Sequence, residues 1–256
     1  RLLKELKIPI PPLAEQKRIV AILDEAFSAI STAKENAEKN LKNAKELFDS
    51  YLNNIFEMKG KDWEEKKLGE VLQKTETINP TLEPDKEFVY IDVSSVNNET
   101  LTIENSSVII GKSAPSRARK LVKTNDIIFA TIRPTLKRIA IVSEEFHNQV
   151  CSTGYFVLRA KPFLNYQMLF YYLLTNKFDS QMEKLQKGAS YPAVTDGDVR
   201  NQVIPFPPLK EQQRIVAKLD ALSEQTKQLE AVYSKKIADL DELKKSILQK
   251  AFRGEL

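Results

Sequence analysis

The sequence predicts an α+β protein in which a mixed α/β domain is flanked by two long α-helices that form an antiparallel coiled coil. Three observations predict this fold class. A motif occurs twice, at residues 8–24 and 204–220, and its copies are identical at 13 of 17 positions. Each copy is followed by apolar residues at helical spacing, and the residues between them contain short apolar runs typical of strands. The predicted regions are a first helical region at 1–61, a globular domain at 62–203 and a second helical region at 204–256.

The first long helix is predicted to begin after Pro11 and Pro12. Proline fits the first turn of a helix but not its interior, and no further proline occurs before Pro80. Apolar residues then recur at steps of three and four, which is the spacing of a coiled-coil seam. A helix from Glu15 to Met58 would be about 65 Å long at 1.5 Å per residue, and it needs a partner to bury that seam. Its predicted seam residues are Ile19, Leu23, Ile30, Leu41, Phe48 and Ile55.

The second long helix repeats the same seam 196 residues later. Small residues dominate the first seam and larger ones the second, so the helices are predicted to approach each other closely. The repeat places Lys244 at one seam position, where we expect the neighbouring Leu243 to supply the apolar side chain. The alternative is that two unrelated amphipathic helices share a capping preference. The predicted seam residues of this helix are Ile215, Leu219, Leu229, Ile237, Leu240 and Ile247.

The residues between the helices predict a mixed α/β domain. Strands are predicted at "FVYIDVSSV", "LTIENSSVII", "DIIFATI", "RIAIVS" and "GYFVLRA", because these runs are apolar or alternating and are bounded by turn residues. One helix is predicted in "NYQMLFYYLLTNKFDSQMEKLQKG", where Gly188 is suited to end it.

Composition and motifs argue against several classes of protein. Cys151 is the only cysteine, so we expect no disulfide, no cysteine-based metal site and a cytoplasmic location. No apolar run is long enough to span a bilayer, so no membrane association is predicted. The "GKS" at 111–113 lacks the first glycine of a phosphate-binding loop, because Ser106 stands there. His147 and Cys151 are four residues apart, but two ligands do not make a zinc site. We therefore predict no catalytic residue, no cofactor and no metal in the chain itself.

Basic residues are concentrated in one stretch of the chain. Residues 111–138 carry eight Lys or Arg against one acid, Asp126, a net charge of +7, whereas the whole chain carries +4. Lys and Arg neutralise phosphates, Ser and Thr add hydrogen bonds, and an Arg side chain can read the O6 and N7 atoms of guanine. This mixture predicts a surface that binds double-stranded DNA, and the alternative is a solvated charged face. The candidate DNA-binding residues of this stretch are Lys112, Ser113, Ser116, Arg117, Arg119, Lys120, Arg133, Thr135, Lys137 and Arg138.

A second candidate loop, "KGASYPAVTDGDVR", lies shortly before the second long helix. Pro192 holds the preceding Tyr191 in an extended conformation, which favours an outward-pointing ring. The alternative is that Tyr191 packs on the sheet. The candidate DNA-binding residues of this loop are Lys187, Ser190 and Tyr191.

Several motifs follow one another along the chain. They are the two "IPxPPLxEQxRIVAxLD" copies, "DWEEKKLGEV", "PSRARKLVKTNDIIFATIRPTLKRIAIV", "CSTGYFVLRA" and "GASYPAVTDGDVRNQVIPFPPLKEQ". With these motifs the chain resembles the DNA specificity subunits of Type I restriction-modification enzymes. The resemblance implies a target-recognition domain that reads one half of a split DNA site, and two conserved helical regions, paired as an antiparallel coiled coil, that set the distance between the halves. It also implies methyltransferase and restriction subunits as partners, which would carry S-adenosylmethionine, Mg²⁺ and ATP.

The chain departs from the family pattern in one respect. A complete subunit alternates two recognition domains with two helical regions, whereas here one recognition domain stands between two helical regions. Either an upstream domain is missing, which residues 1–7 would fit because Lys7 aligns with Val203, or the chain is a half-subunit that dimerises through its helices. We expect a non-catalytic DNA-binding subunit; the alternatives are a stand-alone DNA-binding regulator and a coiled-coil scaffold without a methyltransferase partner.

Overall fold

The computed structural model describes residues 10–256, so the expectation about residues 1–7 falls outside the described residues. The chain divides into two compact units. The globular unit comprises Tyr51–Leu219, and the helical unit comprises the chain up to Ser50 together with Asp220–Leu256. The globular unit extends beyond the predicted domain at 62–203 on both sides, because it includes the end of the first long helix and the start of the second.

The predicted α+β fold class is confirmed. The helices of the described chain are α1 (Leu13–Glu57), α2 (Leu68–Val71), α3 (Tyr166–Leu173), α4 (Asn176–Leu185), α5 (Asp196–Arg200) and α6 (Leu209–Arg253). The strands are β1 (Glu64–Lys67), β2 (Glu87–Ile91), β3 (Val96–Asn97), β4 (Thr102–Ile103), β5 (Ser107–Ile110), β6 (Ala118–Val122), β7 (Ile127–Ala130), β8 (Ile139–Ile141), β9 (Gln149–Ser152), β10 (Tyr155–Leu158) and β11 (Val203–Phe206).

In the helical unit, α1 and α6 run antiparallel. Lys34 Nζ donates hydrogen bonds to the two carboxylate oxygens of Asp241 at 2.7 and 2.8 Å. Seven residues earlier on α1, the ring of Phe27 lies 5.1 Å from Lys244 Nζ, which is three residues later on α6. The hydrogen bond from Lys34 lowers the pKa of Asp241, so this pair holds both groups in their charged forms.

The predicted seam of α1 lies on its less exposed side. Ala37 and Ala44 are buried between the larger seam positions, which fits a close approach of the partner helix. Among the predicted residues, Ile30 is buried, and the half-buried ones are Ile19, Leu23, Leu41, Phe48 and Ile55. On α6, the structure finds Ile215 and Leu219 buried and Ile237, Leu240 and Ile247 half-buried.

Two positions of α6 depart from the predicted seam. Leu229 is 41% exposed, and the nearby buried position is Thr226, whose hydroxyl bonds to carbonyl oxygens one turn earlier in the helix. Leu243 does not replace Lys244, because Leu243 is 47% exposed while the ammonium of Lys244 lies over the ring of Phe27. Lys244 is exposed as well, and its charged end meets the face of the ring, so this position makes a cation–π contact and no buried apolar contact.

The globular unit contains two main sheets. One has the strand order β5-β2-β9-β6, in which β2 and β9 are parallel and the other pairs antiparallel. The second is antiparallel, with the order β10-β7-β8. Two short antiparallel pairs, β1-β11 and β3-β4, complete the strands of the described chain. Ile91, Ile128, Cys151 and Tyr155 lie in one buried cluster, so both main sheets contribute to the same core.

Helix α4 packs against the three-stranded sheet and against α3. The ring of Phe178 in α4 lies 5.5 Å from Phe129 in β7 and 5.6 Å from Tyr172 in α3. The prediction of one continuous helix ending at Gly188 is wrong. The side chain of Thr175 caps α4 by accepting a hydrogen bond from the Phe178 backbone N–H at 3.3 Å, so the helix restarts there. Gly188 lies beyond the end of α4, with a φ of +105°.

All five predicted runs contain strands, but β1, β6, β9 and β11 were not predicted. Strand β1 consists of charged residues only, and it forms because its backbone pairs with β11, where Glu64 lies opposite Phe206. Such a strand has no apolar alternation, so only its partner reveals it.

Candidate nucleic-acid interface

The 131–138 loop connects β7 to β8 and carries two residues in the left-handed backbone region. Arg133 and Lys137 have φ values of +49° and +51°, and they flank a short 3-10 turn at Pro134–Leu136. This region costs about 1 kcal/mol for a residue with a side chain. Hydrogen bonds hold the loop in it: the Arg133 N–H donates to Pro192 O at 2.7 Å, and the Lys137 N–H donates to Pro134 O at 3.2 Å. The loop is therefore held in one conformation.

The 187–193 loop is closed at its base. Lys187 and Ala193 exchange two backbone hydrogen bonds of 2.9 Å. Gly188 allows the chain to turn, because its φ is +105° and a side chain there would come within 3.0 Å of Tyr191 O. Tyr191 is 72% exposed, so the ring points outward as predicted and does not pack on a sheet. An exposed ring on a closed loop is typical of a binding surface.

The structure joins these two loops. Val194 N–H donates to Thr131 O at 2.9 Å, beside the hydrogen bond from Arg133 to Pro192. The guanidinium carbon of Arg133 lies 5.2 Å from the centre of the Tyr191 ring. Candidate residues that are more than fifty positions apart in the sequence thus form one surface.

A third segment, around Arg117, reaches the same surface through the turn between β9 and β10. Thr153 N–H donates to Arg117 O at 2.9 Å, and Thr131 N–H donates to Gly154 O at 2.9 Å. Arg117 and Thr153 are both exposed. Thr153 was not among the predicted residues, although it lies in the "CSTGYFVLRA" motif. Its position between Arg117 and the 131–138 loop depends on which strands pair, and the local sequence around Thr153 does not predict that pairing.

Other predicted cations are already bonded within the protein. Lys120 donates to Tyr155 O at 2.6 Å and to Asp196 Oδ2 at 3.0 Å, and only 19% of its side chain is exposed. Its ammonium therefore stabilises the globular unit, so Lys120 is not a candidate for contact with DNA. Arg119 Nη1 donates to Ala118 O at 2.8 Å.

Two more cations sit at the edge of the interface. Arg138 Nη1 donates to Val93 O at 3.1 Å, and Lys137 forms a 4.0 Å ion pair with Asp179. Burial raises the pKa of Asp179, although Lys137 opposes that shift. Both cations are half-buried, as is Thr135 in the same loop.

Lys112 and Ser113 lie on a different part of the globular unit. They belong to a 3-10 turn at Gly111–Ser113 whose hydrogen bonds run to the 80–86 segment, since the Lys112 N–H donates to Pro84 O at 2.9 Å. A side chain at Gly111 would come within 2.1 Å of Glu83 O, so this glycine serves close backbone packing. Both residues are exposed, as is Ser116 on the approach to β6.

An open cleft elsewhere in the globular unit is also lined by basic residues. Arg159 in this cleft bonds to Asp126 and Glu76, and Lys161 Nζ donates to Glu70 O at 2.7 Å. These donors are used within the protein, so the cleft is a weaker candidate than the joined loops.

Across residues 10–256, no three His, Cys, Asp or Glu side chains converge in a way that could hold a metal ion. Over the same range, no helix has the length and apolar character needed to cross a membrane.

Known proteins resemble the chain over most of its length. The structure of the HsdS subunit from Thermoanaerobacter tengcongensis matches with a TM-score of 0.66 and 41% identity, over 72% of this chain and 48% of that chain. The MjaVIII specificity subunit of Methanocaldococcus jannaschii is 24% identical over 100% of this chain and 63% of its own length. The EcoDI specificity subunit of Escherichia coli is 31% identical over 52% of this chain and 29% of its own length. The chain therefore spans less than two thirds of each of these proteins.

A family model also matches most of the sequence. The model described as "Type I restriction modification DNA specificity domain" matches residues 2–42 and 60–238. These ranges include both long helices in part and the whole of the joined loops. The chain belongs to the family of Type I restriction modification DNA specificity domains.

Proposed function

We propose that this chain binds double-stranded DNA sequence-specifically as a specificity subunit of a Type I restriction-modification system. It reads one half of a two-part target and catalyses no reaction itself. The observation that carries the proposal is the surface formed by the joined loops and the Arg117 segment, where Arg117, Arg133, Lys187 and the ring of Tyr191 are all exposed. None of the ion pairs found among the described residues uses these three cations, so their charges remain available to a polyanion.

Binding through this surface has a defined electrostatic signature. Each phosphate neutralised by a Lys or Arg releases condensed counterions, so affinity falls steeply with salt. The slope of the logarithm of the binding constant against the logarithm of the salt concentration is about −0.9 per phosphate contact. The exposed Thr153 adds a hydroxyl next to Arg117, and hydroxyls bond to phosphate oxygens without reading sequence. The surface therefore combines groups that position the duplex with groups that can read it.

The test is DNA binding by the full chain, measured as fluorescence anisotropy on labelled duplexes over a range of salt concentrations. We expect Arg117→Gln and Lys187→Gln each to weaken binding and to reduce the salt slope by about 1. Lys42→Gln is the matched control, because Lys42 is an exposed cation on α1, outside the globular unit. Binding that is unaffected by Arg117→Gln and Lys187→Gln, or weakened equally by Lys42→Gln, or insensitive to salt, would contradict the proposal.

Methyltransferase and restriction subunits are the proposed partners, and S-adenosylmethionine, Mg²⁺ and ATP would be bound by those subunits. The family membership and the cytoplasmic character suggested by a single cysteine support this assignment. Co-purification with a methyltransferase subunit tests it. A stand-alone regulator would bind DNA without such a partner, and a coiled-coil scaffold would show no salt-dependent DNA binding.

Differences in exposure between the repeats support a further partner on the helical unit. Val216 is 4% exposed, whereas its equivalent Val20 is 54% exposed. Phe56 is 4% exposed and contacts the ring of Tyr172 at 5.7 Å, whereas its equivalent Phe252 is 64% exposed. A second globular unit of the same kind, supplied by a second copy of this chain or by additional sequence, would cover these apolar side chains. Light scattering of the chain alone distinguishes a dimer from a monomer.

A further inference from the structure

We propose that Arg133 reads a guanine in the major groove of the DNA target and that Tyr191 is the positioning residue that orients its guanidinium. This inference rests on the proposed function, because it assigns a base-reading role within the same interface. It separates Arg133 from the cations that contact only phosphates. Three properties of the joined loops support this assignment.

The first step is that Arg133 keeps most of its hydrogen-bonding capacity. A guanidinium has five N–H donors. The guanidinium of Arg133 makes one long hydrogen bond among the described residues, from Nη2 to Ser190 O at 3.3 Å. The guanidinium groups of Arg119 and Arg138 also bond to backbone carbonyls, but at the shorter distances of 2.8 and 3.1 Å, and both residues are half-buried. Arg133 is exposed and can still offer the paired donors that match O6 and N7 of guanine.

The second step is that the side chain is held in one orientation. Its backbone has a left-handed conformation, with Pro134 on one side and the hydrogen bond to Pro192 O on the other. The guanidinium lies over the ring of Tyr191, with 5.2 Å between the guanidinium carbon and the ring centre. This cation–π contact restrains the guanidinium, so less conformational entropy is lost when it binds.

The third step is that this orientation suits a base better than a phosphate. A base edge presents its two acceptors in one plane and direction, and a bidentate contact needs the guanidinium in that plane. Phosphate oxygens accept hydrogen bonds from many directions, so a phosphate contact needs no such arrangement. Arg117 is exposed and has no stacking ring among the contacts of the described residues, which fits a phosphate contact. Arg117 is therefore the matched comparison for Arg133.

The experiment begins with a library of duplexes of random sequence, from which the wild-type full chain selects its target. Each guanine of the selected target is then replaced by 7-deazaguanine, which lacks the N7 acceptor. We expect the wild-type chain to lose about tenfold or more in affinity at one guanine, the range known for a bidentate contact. Arg133→Ala should bind more weakly and lose its sensitivity to that one replacement, because alanine has no donor that could reach N7.

Two further variants separate base reading from a general loss of binding. Arg117→Gln should weaken binding while its sensitivity to each 7-deazaguanine stays as in the wild type. Tyr191→Phe keeps the ring and should retain the wild-type sensitivity, whereas Tyr191→Leu removes the ring and should reduce it. Circular dichroism and unfolding midpoints verify that each variant is folded.

The outcomes distinguish this inference from the proposed function. If Arg133→Ala remains as sensitive as the wild type to every guanine replacement, or if the selected target contains no guanine, then Arg133 does not read guanine, although sequence-specific binding stands. If the library yields no enriched sequence and binding does not depend on salt, the proposed function fails and this inference fails with it.

Discussion

Arg159 holds the buried carboxylate of Asp126 with two hydrogen bonds, from Nε to Oδ1 at 2.7 Å and from Nη2 to Oδ2 at 2.8 Å. Asp126 immediately precedes β7, and Arg159 immediately follows β10. These strands pair antiparallel, with Ile127 opposite Leu158, so the ion pair closes the end of the ladder. The opposite ends of the same two strands lead into the 131–138 loop and the 153–154 turn. The buried pair therefore anchors the strands that carry the proposed interface.

Asp126→Asn should destabilise the globular unit strongly. The substitution removes the buried carboxylate and leaves the largely buried guanidinium with only the exposed Glu76 as a counter-charge. Breaking a buried pair costs about 3 kcal/mol. Urea unfolding measures the free energy. Glu15→Gln is the control, because Arg18 bonds to both carboxylate oxygens of Glu15 in the same geometry but in an exposed position. Water screens that pair, so we expect a much smaller loss than for Asp126→Asn. Equal losses of unfolding free energy in both variants would show that the burial of Asp126 does not determine the strength of its ion pair.

Glu76 should make stability depend on pH in the acidic range. Hydrogen bonds from Lys123 and Arg159 lower its pKa from 4.5 to about 2. Because the folded-state pKa is lowered, the contribution of Glu76 is complete above about pH 4.5 and is lost as the pH falls towards 2. In Glu76→Gln this contribution is missing, so the stability difference between wild type and variant should shrink across that window. Unfolding midpoints at successive pH values measure it, and a constant difference would contradict the assignment.

The two glutamines related by the repeat should differ in their importance. Gln212 is fully buried, and its side chain bonds to Pro207 O, Phe163 O and the Asn165 N–H at 2.7 to 3.0 Å. Gln16 keeps the equivalent bond, to Pro11 O at 2.7 Å, but is only half-buried. Gln212→Ala should therefore cost about 2 kcal/mol or more.

The same substitution at Gln16 should cost under about 1 kcal/mol in the chain alone, because water can replace its lost hydrogen bond. The unfolding free energies of the two variants give the comparison. Similar losses would mean that the repeat motif stabilises both helices through local contacts only.

Gly111→Ala should disturb the turn that presents Lys112. The added methyl group would lie 2.1 Å from Glu83 O and 2.4 Å from Pro80 O, and backbone atoms there cannot move without shifting the turn. Gly197→Ala is the control, since its methyl group would meet only the Thr195 hydroxyl at 3.5 Å. We expect a lower melting temperature for Gly111→Ala and an unchanged or higher one for Gly197→Ala. A similar melting temperature in both variants would contradict the close packing at Gly111.

Local patterns predicted the long helices and the strands with apolar side chains. The spacing of residues such as Ile30 and Ile237 follows the helix period, and the run at Ile127–Ala130 is apolar throughout, so each element is visible in its own residues. The strand at Glu64–Lys67 and the break at Thr175 were not visible. A strand made of charged residues exists only because a partner strand accepts its backbone, and Thr175 acts through a cap within an otherwise continuous helical pattern.

Sequence alone determined the repeat, the seam, the concentration of positive charge and the family, because these properties depend on the order and chemistry of neighbouring residues. Tertiary structure decided which cations remain available. Lys120 and Arg133 look alike in the sequence, yet Lys120 is bonded to Tyr155 O and Asp196 while Arg133 lies exposed against Tyr191. The physical reason is that a side chain's hydrogen bonds depend on what the fold brings within about 3 Å of it, and those groups come from distant parts of the chain.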